Sequence, residues 1–155
     1  MIKVAYLADH SEAAPILAQW FRAQWPDYYA DRPLEAVTQD FHAEANRHSL
    51  PIRLVAFVDA ALAGTVILRE RALGTLPEYR PGLGGLFVPE SHRRQGVGTE
   101  LVRAGMNVAR EQGFGSVYAG TEAARGLLER LGWEMVETVL HGQEHLAIYR
   151  CLLKA

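Results

Sequence analysis

Hydrophobic and polar positions along the chain fall into alternating short apolar runs and helical stripes. Residues 2–8 (IKVAYLA) predict a strand. Ile16, Leu17, Trp20 and Phe21 then recur at helical spacing and predict a helix over 12–25, with Ser11 or Asp9 as its cap. After the turn WPDYYADRP, Pro33 sits where a first helical turn tolerates proline, and Leu34, Val37, Phe41 and Ala45 make one face of a second helix. IRLVAFV (52–58) and LAGTVILRE (62–70) predict two strands of a hairpin turning at Asp59-Ala60-Ala61. A loop with Gly74, Pro77 and Pro81 leads to LGGLFV (83–88), a strand whose Gly84 and Gly85 imply a bulge or a close backbone approach. Val97, Leu101, Gly105 and Val108 mark a third helix ending near Gly113, and SVYAG (116–120) a short buried strand. Ala124, Leu127, Leu128 and Leu131 make a fourth helix, stopped by Gly132 in the C′ position. WEMVETVL (133–140) and HLAIYRC (145–151) predict a closing hairpin around His141-Gly142. The order is β-α-α-β-β-β-α-β-α-β-β. A crossover and several hairpins together imply a mixed sheet covered by helices, an α/β (α+β) arrangement.

Composition narrows this little. A chain of 155 residues, 49% hydrophobic, implies a single domain over 1–155 with a real core. A net charge of -2 gives no reason to expect a nucleic acid or an anionic membrane as partner. One cysteine, Cys151, excludes an internal disulfide and fits a reducing compartment. The stretch MIKVAYLADH lacks the features of a signal peptide, and no apolar run reaches the roughly 18 residues of a membrane span, so the expectation is a cytoplasmic protein. His42, His48, His141 and His145 show no metal-ligand spacing, and no metal is expected.

The stretch that asks for chemistry is HRRQGVGTE, residues 92–100. Two glycines at the start of a helix weaken it by about 1 kcal/mol each relative to alanine. The first amides of a helix have no internal acceptor and lie at the positive end of its dipole. Gly96 and Gly98 would let a ligand reach those amides, with Arg93 and Arg94 adding charge: an anion cradle suited to phosphate or pyrophosphate. The plainer reading is a glycine-rich turn with solvated arginines. A P-loop is excluded because no lysine precedes Thr99, and a dinucleotide fingerprint because Leu101 stands where its last glycine belongs.

Arg93-Arg94-Gln95-Gly96-Val97-Gly98 resembles the acetyl-CoA signature [RQ]-x-x-G-x-[GA] of the GCN5-related N-acetyltransferases (GNAT). TEAARGLLERLGW (121–133) is similar to that family's N-x-x-A-x-x-L-Y-x-x-x-G-[FW] segment through Ala124, Leu127, Gly132 and Trp133, and the element order agrees as well. The resemblance implies a mostly antiparallel sheet of about seven strands with four flanking helices. Its fourth and fifth strands would splay to admit the pantetheine arm, with the bulge at Gly84 and Gly85; a packing bend under a helix is the alternative there. It further implies that acetyl-CoA, as co-substrate, is held by the backbone of Leu86, Phe87 and Val88, by Arg93, Arg94, Gln95, Gly96, Val97, Gly98 and Thr99, and by Thr121. Thr121 replaces the usual asparagine and can also cap its helix. Leu128 stands where the family commonly has a tyrosine that protonates the thiolate, and it reads as a core leucine.

Acetyl transfer needs a neutral amine, a stabilised oxyanion and a thiolate leaving group. Deprotonating a lysine-like amine of pKa about 10.4 at pH 7 takes about 4.6 kcal/mol, against about 1 for an α-amine. No carboxylate lies within 83–88, so the base and acid stay unassigned, with Glu70, Glu78, Glu90, His92 and Tyr118 as candidates; each also reads as a loop or packing residue. Positioning in a ternary complex would then carry most of the catalysis. Ser49 and Ser116 lack the surroundings of a nucleophile, and Cys151 in the last strand is ill placed for an acyl relay. In the family fold the acceptor is usually met by the first two helices and their connection, here FRAQWPDYYADRP. Trp25, Tyr28, Tyr29 and Asp27, with Asp31 nearby, suit a cationic amine or serve as packing. This stretch also resembles acetyltransferases of acidic protein N-termini.

These residues are compatible with two classes of function. One is an enzyme, an acetyl-CoA-dependent N-acetyltransferase acting on a primary amine of a small molecule or peptide by direct transfer, as a monomer or homodimer. The other is a catalytically silent acyl-CoA-binding sensor or partner module of the same fold.

Overall fold

The computed structural model describes residues 1–154. β1 (Ile2–Tyr6) gives way to two tight 3₁₀ turns, Leu7–Asp9 and Ser11–Ala13, and then to α1 (Ala14–Gln24). The strand stops short of residue 8 because Leu7 already turns inward and is fully buried. Neither Asp9 nor Ser11 caps α1: proline occupies its first turn, and the Asp9 carboxylate accepts hydrogen bonds from Arg47 instead. α2 (Leu34–His42) starts behind Pro33, which stays extended at the N-cap rather than entering the first turn, and Ala45 lies past its end.

β2 (Ile52–Val58) and β3 (Ala61–Arg69) pair through Val58 and Ala61, leaving a two-residue turn. Asp59 and Ala60 both take positive φ, 49° and 74°, as a type I′ hairpin requires. β4 (Gly82–Phe87) comes next, then a 3₁₀ turn Glu90–His92 and α3 (Val97–Glu111). β5 (Ser116–Thr121) leads to α4 (Arg125–Arg130), shorter than its stripe of leucines implies. That helix ends in a Schellman turn: Gly132 N–H donates to Glu129 O, Trp133 N–H to Leu128 O, and Gly132 has φ 87°. β6 (Glu134–His141) and β7 (Glu144–Leu152) close the chain.

The seven strands form one sheet in the order β1-β2-β3-β4-β5-β7-β6. Every neighbouring pair is antiparallel except β4 and β5, so the expected mixed, mostly antiparallel sheet with four helices is observed. On one face α3 and α4 press Leu101, Val108 and Leu128 onto Leu54, Val66, Leu83, Val117 and Tyr149. On the other, α1 and α2 press Leu17, Phe21, Val37 and Phe41 against Val55 and Phe57. Each fully buried leucine or phenylalanine contributes about 1.5–3 kcal/mol, so the two layers hold the sheet from both sides. A third cluster forms where the β3–β4 connection folds back: Leu73 and Tyr79 cover Ile148 and Tyr118. Among the described residues no helix is long and apolar enough to cross a membrane.

Ala60 carries a Cβ in a left-handed turn position suited to glycine. A left-handed residue with a Cβ costs about 1–2 kcal/mol, partly offset by the extra entropy glycine loses on folding. Ala60→Gly is expected to stabilise the protein by about 0.5–1 kcal/mol and to raise Tm by about 1–4 °C. A melting curve shifted downwards would show that Ala60 makes contacts worth more than the backbone strain.

Candidate functional site

β4 and β5 are joined at a single position, Gly82 opposite Tyr118, reinforced by Tyr118 N–H donating to Pro81 O at 3.0 Å. Beyond it they part. On the other side of β4 the register with β3 slips between Thr65 and Ile67, and Gly85 has φ 56°. A residue with a Cβ would be strained there and would crowd Ile67 and the Arg53 guanidinium. The slip turns β4 away from β5 and opens a cleft of about 570 Å³. Its walls are mainly apolar, among them Val66, Leu83, Leu86, Val102, Leu127 and Leu128; Arg93 is the one ionisable side chain lining it among the described residues. On the cleft side, the backbone of β4 after Gly82 has no strand partner.

The start of α3 lies against this cleft. Arg94 and Gly96 take left-handed φ of 64° and 87°, curling the loop so that α3 begins at Val97. The N–H groups of Val97, Gly98 and Thr99 precede the first intrahelical bond, Glu100 N–H to Gly96 O, and no side chain caps them. These three amides at the positive end of a fifteen-residue helix are therefore free to bind an anion. A Cβ at Gly98 would stand 3.5 Å from Leu127 and 4.0 Å from Leu86, both in the cleft wall. Arg93 ties the loop to the end of β4, its Nε donating to Val88 O at 2.9 Å, while Arg94 and Gln95 stay exposed. Across the cleft Thr121 Oγ1 accepts from Ala124 N–H at 2.9 Å, and Leu128 is buried in the core.

The five acid–base candidates are not gathered here. Glu70 pairs with Arg80 at 3.0 Å, Glu78 and Glu90 are exposed, and His92 is half-buried in its 3₁₀ turn; none of them lines the cleft. Tyr118 points to the opposite face of the sheet, its ring 5.4 Å from that of Tyr79.

A second, smaller pocket of about 300 Å³ lies between α1, α2 and the sheet, and Gly85 belongs to the walls of both. Tyr28 and Tyr29 line it, together with Phe21, Arg32, Asp40, Glu44, Arg53 and Arg69. Trp25 stands between the two spaces: it lines the cleft and packs edge-on against Phe21 and Phe87. Asp27 is exposed and lines neither. Burial raises the Tyr29 phenol above its ordinary range, so it stays neutral.

Arg53 is the residue that sequence reasoning missed. It is 4% exposed, as the second residue of β2. Its Nε donates to Glu44 Oε1 at 2.6 Å and its Nη1 to Thr65 Oγ1 at 3.0 Å, and its guanidinium lies 4.8 Å from the Phe41 ring centre. Burial pulls its pKa below the ordinary arginine value; Glu44 opposes that shift and nearby Arg69 adds to it. A cation inside the apolar run IRLVAFV was the available signal. Its partners lie on other elements, out of reach of any local pattern.

The sequence pattern of the family described as Acetyltransferase (GNAT) family matches residues 15–133. Among solved structures the chain is similar to yncA of Salmonella typhimurium, determined with acetyl-CoA, at 15% identity and a TM-score of 0.75, covering 99% of this chain and 94% of that one. It is similar to an aminoglycoside 6'-N-acetyltransferase complexed with coenzyme A, at 17% identity and a TM-score of 0.72, covering 99% and 98%. It is also similar to the ribosomal-protein-alanine N-acetyltransferase of Brucella melitensis, at 20% identity and a TM-score of 0.72, covering 99% of each chain. At such identities the likeness is one of fold. No curated protein matches the chain.

The Arg53–Glu44 pair is open to a direct stability test. Removing one partner of a buried pair strands the other charge, and Glu44 is itself 24% exposed, which moderates the loss. Glu44→Ala is expected to cost about 2–4 kcal/mol in urea unfolding, and Glu44→Gln, which keeps an acceptor for Arg53, less than half of that. Equal losses in the two variants would mean that the carboxylate's charge, rather than its hydrogen bond, holds Arg53.

Proposed function

The chain belongs to the GNAT acetyltransferase family, and on that premise we propose that it is an acetyl-CoA-dependent N-acetyltransferase transferring to a primary amine of a small molecule or peptide. The observation that carries this reading is the uncapped amide row of α3 at the edge of an apolar cleft held open by the parting of β4 and β5. A pyrophosphate suits the amides of Val97, Gly98 and Thr99, with Gly96 leaving the approach clear and Arg93, Arg94 and Gln95 alongside. A pantetheine arm, part amide and part apolar, suits the cleft side of the Leu86, Phe87 and Val88 backbone, which β5 does not pair with, facing Leu127 and Ala119. Thr121 closes the far wall. Bound there, acetyl-CoA supplies the thioester that an amine attacks.

The chain's own contribution is then positioning and polarity. Amides near Phe87 and Val88 would stabilise negative charge growing on an acyl oxygen. Among the described residues the cleft offers no carboxylate or imidazole to remove the amine's proton, which favours an acceptor that is already partly neutral at working pH. Trp25, Tyr28 and Tyr29 border the way in from the acceptor side. The competing reading, a silent acyl-CoA-binding module, draws on Leu128 in place of a proton-donating tyrosine and on this absence of acid–base groups.

Two experiments test the reading. Gly98 has ordinary helical φ, so Gly98→Glu puts bulk and negative charge at the cradle without backbone strain. The variant is expected to fold with an unchanged or higher Tm, because glycine is a poor helix former, and to lose at least about a hundredfold in CoA affinity by calorimetry. Unaltered affinity would remove the anion site from α3. Thiol release from acetyl-CoA in the presence of primary amines separates enzyme from silent module. Tyr118→Phe is expected to leave kcat within a few-fold of the parent, since the phenol lies across the sheet from the cleft. A fall of about a hundredfold, the size of a lost general acid, would instead make Tyr118 the acid.

A further inference from the structure

The pocket on the α1–α2 side of Gly85 carries an unbalanced charge. Three guanidiniums and two carboxylates line it. Arg32 pairs with Asp40 and Arg53 with Glu44. Arg69 has no hydrogen bond or ion pair among the described residues, although its neighbour Glu70 pairs elsewhere, with Arg80. Arg53 and Arg69 stand on one face of the sheet: Arg53 is opposite Ile67, and Arg69 is two residues further along the same strand. The backbone makes room for both. A Cβ at Gly84 would come within 2.6 Å of Arg69 Nη2, and one at Gly85 within 3.3 Å of Arg53 Nη2. Arg53 Nη2 likewise makes no hydrogen bond among the described residues.

Two like charges beside one pocket wall repel, and the unpaired Nη2 of the buried Arg53 is a further loss. An anion between them removes both penalties. Guanidinium forks match planar carboxylates in geometry as well as charge, and the small pocket favours a compact ligand. A polyamine or an aminoglycoside, carrying only positive charge, would meet the unneutralised Arg69.

Resting on the acetyltransferase reading above, we propose that Arg53 and Arg69 bind a carboxylate of the acceptor, which is therefore a small amino acid presenting its amine through Gly85 to the β4–β5 cleft. The shared wall at Gly85 brings the two spaces together: the acid is held on the helix side while the amine faces the unpaired backbone of β4. The tyrosines Tyr28 and Tyr29 then enclose the amino-acid side chain rather than a cation.

The test compares L-amino acids with their carboxamides as acceptors in thiol release from acetyl-CoA, each rate referred to the neutral fraction of that acceptor's amine. In parallel, binding of the N-acetyl amino acids and their N-acetyl carboxamides is followed by calorimetry in the presence of CoA. The parent protein is expected to prefer acids over amides by at least about tenfold in kcat/KM and in affinity, the scale of one charge-assisted contact. Arg69→Gln is the variant of choice, since Arg69 is exposed and its loss leaves the buried Arg53–Glu44 pair intact; a melting curve checks the fold. In it the acid-to-amide ratio is expected to collapse towards one. Acids and amides turned over equally by the parent protein would overturn the carboxylate site and leave the acetyltransferase reading standing. If amino acids and their amides release no thiol while other primary amines do, the carboxylate site falls and the acetyltransferase reading stands; if no primary amine releases thiol, the acetyltransferase reading fails. Calorimetry then decides the site alone: an Arg69-dependent preference for the acids upholds it, and no preference overturns it.

Discussion

The functional geometry of this protein depends on one broken pairing. β4 and β5 meet only where Gly82 faces Tyr118, and everything past that point is a gap between two strands that would otherwise bond. A gap in the middle of a sheet leaves backbone groups unpaired, and such groups are tolerated only where water or a ligand can satisfy them. Two features keep the gap from closing. The slip between Thr65 and Ile67 turns β4, and Gly85 holds a conformation that side chains rarely adopt. On the far side β7 pairs with all six residues of β5, fixing it in place.

Without the loop and helix next in the chain, the gap would be an apolar slot with no preference for any ligand. The connection from β4 to α3, residues 88–96, coils through a 3₁₀ turn and brings the helix start back to the slot's edge. Arg93 fastens that connection to Val88, and the left-handed turns at Arg94 and Gly96 aim the first amides of α3 outward. Buried leucines and valines on α3, packed against Leu54 and Val66, keep the helix from drifting. Packing on one face of the sheet thus sets the polar geometry at its centre.

The other face has a different logic. There the core formed by α1 and α2 admits a guanidinium, and the energetic burden of burying Arg53 is met by Glu44, Thr65 and two aromatic rings. Buried ions of this kind seldom add stability over an apolar replacement. Their presence beside Gly85 is explained better by what they face than by what they hold together.

Much of this was legible in the amino-acid sequence because it is local. Apolar periodicity marks each strand and helix within a few residues, Gly132 marks the end of α4, and the glycines of Gly96-Val97-Gly98 announce amides left open. The misplaced details have tertiary causes: Leu7 leaves β1 early because the core takes it, and Asp9 forgoes a cap for Arg47, thirty-eight residues away. Register was beyond reach, since whether β4 holds β5 for one residue or six depends on bulges and packing from both sides of the sheet. So was the company of Arg53: Glu44, Thr65 and Arg69 come from a loop and a neighbouring strand, and the acidic residues that looked like a binding surface, Asp27 and Asp31, remain exposed. The order of elements and the chemistry offered at the start of α3 are written in the chain itself, because backbone amides and glycines act through nearest neighbours. Which charges converge on Gly85 was settled only by folding, because electrostatic partners are chosen by distance in space and not along the chain.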